Sequence, residues 1–184
     1  MNLNCWKSFN ITKDFGSNRI YILSLMLGVL SFIFLYLPFA MIHQSHQVQD
    51  HGMLPVAIAL FLLPTIHKLM HMIPLVLLHK RIRVRWKLKK GFLPTFSYRT
   101  FSSLSKKTSI IMALAPTLLL TVPGLITSYV FPGYYAYIIL FTSVNIGLSF
   151  TDFLCVRQFI QAPKQCIIEN VKDGYDILID KYKQ

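Results

Sequence analysis

An all-α membrane protein, a bundle of four transmembrane helices with a small cytosolic β-hairpin, is the fold class that three observations on this 184-residue sequence predict. Apolar residues make up 54% of it, charged residues only 14%, and its mean hydropathy is +0.50. Soluble domains carry about 25% charged residues, and disordered chains are poor in the large apolar side chains that are abundant here. The second observation is a set of four apolar runs, each long enough to cross a bilayer. The third is a lopsided distribution of charge between those runs. Together they predict one integral membrane domain over residues 1–184.

The first run, 21–42, contains no charged residue. As a helix it rises about 33 Å, against a hydrocarbon core of about 30 Å. A cleaved signal peptide is the competing reading, but some 20 residues precede the run and it exceeds the usual apolar core of about 7 to 15 residues, so the segment is expected to stay. The runs 53–79, 108–131 and 134–160 follow, interrupted by Pro64, Pro74, Pro116, Pro123 and Gly147 as spanning helices tolerate.

Residues 80–107 hold ten Lys or Arg and no acid, whereas 43–52 hold one acid and no Lys or Arg. The positive-inside rule places the basic loop in the cytosol, and four crossings then place both termini there, in a multi-pass protein of the cell membrane. Within that loop Arg81 to Lys89 alternates polar and apolar, and Lys90-Gly91 supplies a turn before Thr95 to Tyr98, which predicts the hairpin. Its cations suit anionic lipid headgroups, each worth about 1 kcal/mol near such a surface; a purely topogenic loop fits as well. The net charge of +12 is concentrated in this juxtamembrane loop and no nucleic-acid-binding motif accompanies it, so nucleic acid is not an expected partner. Residues 167–183 are expected to form a short surface helix. Cys5, Cys155 and Cys166 form no CxxC pair and no even disulfide framework.

Ionisable groups within spanning helices are costly and are read as functional by default. Away from the helix ends they are His67, Lys68 and His71 in the second run and Asp152 in the fourth, with Asn145, Ser149 and Thr151 nearby. His67 and His71 are offset by about 40° and share a helix face; Asn145, Ser149 and Asp152 form a polar stripe. His71 and Asp152 each precede a predicted cytosolic helix end by eight residues, about 12 Å of rise. Two imidazoles and a carboxylate at matching depth supply three of the four ligands of a tetrahedral zinc, with Asn145 and Ser149 as their polar support; iron or manganese would accept the same set. His43, His46 and His51, with Asp50, lie in the external loop and are expected to be merely solvated.

The pattern Pro64-Thr-Ile-His67-Lys68-Leu-Met-His71, the basic loop, Ala115-Pro116, and Asn145-Ile-Gly-Leu-Ser149-Phe-Thr-Asp152 resembles the small four-helix putative zincin peptidases, a family distantly similar to site-two intramembrane metalloproteases. The resemblance covers roughly residues 60 to 156. It implies zinc held by His67, His71 and Asp152. The family's motif is His-Glu-x-x-His, and here Lys68 stands where the pattern needs the glutamate that takes a proton from zinc-bound water. The implied function is therefore a zinc-binding membrane protein whose hydrolysis is lost or impaired, turned toward a membrane-protein substrate or partner. An active protease would need Lys68 as a neutral amine, or another base. A metal-free structural protein would pair Lys68 with Asp152 and hydrogen-bond the histidines to Asn145, Ser149 or backbone.

Overall fold

A computed structural model of the chain describes residues 3–43, 52–78, 82–88, 94–100, 104–171 and 174–180, the stretches 82–88 and 94–100 by their backbone alone. In chain order the elements are β1 (Leu3–Phe9), α1 (Ile11–Phe15), α2 (Ser17–Ile42), α3 (Met53–Met70), α4 (Met72–Leu77), β2 (Ile82–Leu88), β3 (Pro94–Thr100), β4 (Leu104–Ser105), α5 (Lys106–Pro116), a π turn (Thr117–Thr121), α6 (Val122–Val130), α7 (Tyr135–Leu148), α8 (Phe150–Gln161), β5 (Cys166–Val171) and β6 (Gly174–Asp180). Three continuous stretches, Ser17–Ile42, Met53–Leu77 and Lys106–Val130, are long and apolar enough to cross a bilayer, or four if α7 and α8, bent by 43° at their break, are counted as one span.

The departures from straight helices have local causes. Pro74 has no N–H to offer the carbonyl of Met70, and the helix is interrupted at His71, which keeps helical dihedrals. The π turn lies between Pro116 and Pro123. At the α7–α8 bend the Ser149 hydroxyl donates to the carbonyl of Asn145 at 2.9 Å, a back-bond that bends helices. The predicted run 134–160 is accordingly two helices rather than one.

Two compact units divide the described residues. One gathers those of Asn18–Met70 and Ala115–Thr151. Its helices pack through small residues: an added Cβ at Gly147 of α7 would meet the Ser24 carbonyl oxygen of α2 at 2.8 Å and the Gly28 Cα at 3.1 Å. Leu63 and Ile139 are fully buried, while large apolar side chains along α2, among them Tyr21, Leu25 and Phe34, are exposed. His43, expected in solvent, is instead buried, because α2 runs on to Ile42 and delivers it between Phe39, Tyr129 and Tyr135, with Nε2 at 3.2 Å from the Ser128 carbonyl. His46, Asp50 and His51 lie outside the described residues.

The other unit gathers the described residues of Met1–Ser17, His71–Leu114 and Asp152–Gln184. It holds the predicted hairpin, β2 paired antiparallel with β3 from Ile82↔Thr100 to Leu88↔Pro94. It also holds a four-stranded antiparallel sheet of order β1-β6-β5-β4, two strands of which stand where the sequence reading expected a surface helix over 167–183. The correction has a clear cause in the residues. Ile167, Ile168 and Val171, then Ile177 and Ile179, are β-branched, and Gly174 opens the second strand after only two connecting residues. The alternate residues Ile168 and Ile177 are fully buried with Phe9 and Phe159 in one core. A side chain at position 174 would strike the Phe9 carbonyl, so only glycine fits there.

Candidate metal centre

His67 and His71 belong to the single helical stretch Met53–Leu77, and the helix alone fixes them one turn apart on one face. Each ring is held by an oxygen that can only accept. The His67 Nδ1–H donates to Asn145 Oδ1 at 2.9 Å, and the His71 Nδ1–H donates to the Met112 carbonyl at 2.8 Å. With Nδ1 protonated in both neutral rings, Nε2 is the lone-pair nitrogen, the tautomer that metal-binding histidines adopt when their other nitrogen is tied to an oxygen.

Asp152 stands in the first turn of α8, where the helix dipole favours a carboxylate. Its Oδ1 lies 3.4 Å from His71 Nε2, both side chains being mostly buried. The helix and the approach of Asp152 to His71 thus gather a His-His-Asp group, and one ligand atom from each of His67, His71 and Asp152 lies within 4.8 Å of the others. This group could hold a metal ion.

Asn145 is fully buried at the end of α7. Its Nδ2 donates to the Pro116 carbonyl at 3.3 Å and to Thr121 Oγ1 at 3.2 Å, which settles that its oxygen is the atom facing His67. Ser149, also fully buried, spends its hydroxyl on the Asn145 carbonyl of its own helix. Thr151 Oγ1 lies 3.4 Å from the Leu148 carbonyl, again within the bend. Lys68 is exposed, and the carboxylate of Asp152 faces His71.

Sequence reasoning missed two supports of this arrangement. The Met112 carbonyl could not be found, since every residue has one. Thr121 is a weakly polar residue among leucines, and only the π turn reveals which way it faces.

The sequence profile of a family described as "Putative zincin peptidase" matches residues 60–167, a stretch that begins before His67 and ends after Asp152. No curated protein and no solved structure matches the chain.

Proposed function

Because this chain belongs to the family of putative zincin peptidases, we propose that it is an integral membrane protein that binds zinc through His67, His71 and Asp152 and whose hydrolytic activity is lost or impaired. The observation that carries the reading is the 3.4 Å between His71 Nε2 and Asp152 Oδ1. That is longer than a charge-assisted hydrogen bond of about 2.7–2.9 Å. It equals the edge of a tetrahedron about 2.0–2.1 Å in radius, the spacing two ligands on one zinc require. The donor set of two neutral imidazoles and a carboxylate is that of catalytic zinc sites, which keep a fourth position open.

Bound there, zinc supplies a Lewis acid that polarises a carbonyl or acidifies a water. What the motif does not supply is a glutamate at position 68 to accept the proton. Lys68 offers an ammonium in its place, repelled by the dication, and general acid–base catalysis is typically worth about 100- to 10,000-fold. A site of this kind binds a carbonyl group or a membrane-protein segment without turning it over.

Insertion with both termini in the cytosol is supported by the sheet. β1, the loop strand β4 and the strands β5 and β6 pair with one another, so the segments before the first span, between the second and third, and after the fourth lie on one side. That arrangement is what four crossings and a cytosolic loop of ten cations demand. The loop is suited to anionic headgroups, and the site to a membrane-protein partner.

Elemental analysis of the detergent-purified chain without a histidine tag, beside His67→Ala, His71→Ala and Asp152→Ala, tests the reading. About one zinc per chain, lost in each variant, is expected. Well-folded wild type without metal overturns it. Introducing Lys68→Glu is expected to create chelator-sensitive cleavage where wild type shows none.

A further inference from the structure

We infer that Thr121 is a positioning residue of the metal site, steadying the orientation of His67 through Asn145; the inference rests on the zinc reading above. Thr121 Oγ1 and the Pro116 carbonyl both take a hydrogen bond from Asn145 Nδ2, at 3.2 and 3.3 Å. With its nitrogen so occupied, the amide can present only its oxygen to His67 Nδ1, and the ring must donate there. Were the amide turned over, its N–H groups would face Nδ1, the proton would move to Nε2, and the ring could no longer ligate through that nitrogen. Thr121 is thus two hydrogen bonds from the ligand and, beside the Pro116 carbonyl that can only accept, steadies the amide on which the ring is oriented.

The backbone is shaped to place it. Pro116 immediately precedes the π turn and Thr121 closes it. A π turn holds one residue more than an α turn, so without it Thr121 would stand about 100° away around the axis. One turn further, Gly124 permits α6 to approach α7, since a Cβ there would meet Thr142 Oγ1. Gly124 against Thr142 and Thr121 against Asn145 are successive contacts of the same two helices.

Zinc affinity of the full chain in detergent, measured by competition with a chromophoric chelator, tests this for wild type, Thr121→Val, Thr121→Ser, Asn145→Ala and Asn145→Ala with Thr121→Val. Thr121→Val is expected to weaken binding about tenfold, as loss of a metal ligand's supporting partner does, while Thr121→Ser retains the wild-type affinity. Adding Thr121→Val to Asn145→Ala is expected to cost nothing more, because the threonine acts through the asparagine. Thermal unfolding of the metal-free variants separates this from a packing role, and Thr121→Ala serves if Thr121→Val does not fold. Zinc-loaded wild type indifferent to Thr121→Val, or full additivity with Asn145→Ala, overturns the inference alone. A wild-type chain that takes up no zinc overturns it together with the reading beneath it.

Discussion

Replacing Gly147 by alanine should be far more damaging than replacing Gly28, although the two glycines touch. A Cβ at position 147 would lie 2.8 Å from the Ser24 carbonyl oxygen and 3.1 and 3.3 Å from Gly28 Cα and N, all of them backbone atoms that no rotamer change can move. Ordinary contact begins at 3.4 Å, so α2 must retreat by 3.4 − 2.8, or 0.6 Å. A gap of about that size forfeits a quarter or more of each dispersion well along the crossing, and overpacking of this kind costs about 1–3 kcal/mol. A Cβ at position 28, by contrast, would find its nearest atoms at 3.5 and 3.7 Å, which is ordinary contact. Gly28→Ala should therefore be neutral, or stabilising by a few tenths of a kcal/mol through helix propensity, which favours alanine by up to about 1 kcal/mol. Scanning fluorimetry in one detergent reads the difference. At about 2–4 °C per kcal/mol for a chain of this size, Gly147→Ala should melt about 2–12 °C below wild type and Gly28→Ala at or above it. Equal melting temperatures for the two variants would refute the close-crossing argument.

Other expectations follow from the unit that carries the sheet. Phe159 is fully buried, with its ring against Phe9 and Tyr175, so Phe159→Ala should cost about 3–5 kcal/mol and make β5 and β6 susceptible to limited proteolysis. Lys106 donates its ammonium to the carbonyls of Ile160 and Ala162, and Lys106→Met should lose about 1–2 kcal/mol and raise hydrogen exchange at the end of α8. The Cys166 thiol is pushed above its ordinary pKa by burial, with Lys106 pulling the other way. Its thiolate fraction at a given pH is thereby reduced, and alkylation monitored by mass spectrometry should modify exposed Cys5 first. Lys106→Met, by removing the opposing charge, should move the Cys166 alkylation profile to still higher pH.

How much of this was legible in the sequence depended on how local the signal was. The spans follow from long apolar runs, and the hairpin of β2 and β3 from the alternation that begins at Arg81, because both are properties of contiguous residues. His67, His71 and Asp152 were legible for a related reason: helical spacing fixes His67 on His71, and few polar groups compete within the apolar runs. The sheet was not legible as a sheet. Leu3–Phe9 finds its partner at Gly174–Asp180, and no local pattern announces a pairing over that separation. The Ile167-Ile168 and Ile177-Leu-Ile179 clusters carried the strand signal, but the mixed charge around them suggested a surface helix. His43 was misread because its surroundings in sequence are polar, whereas its surroundings in space are aromatic. Thr121 depends on a π turn, and the helical period assumed in reading the sequence points it elsewhere.

The pairing of β1 with β6 also sets an order of events during synthesis. β1 is made well before its hydrogen-bonding partner β6, and β4 likewise waits for β5. At about 5–20 residues per second, β1 stays unpaired for roughly 9–35 s while the spanning segments are threaded into the bilayer. His71 and Asp152 belong to the same unit as this late-closing sheet. The strands of their unit are thus closed only after β6 is made, later than either side chain of the pair.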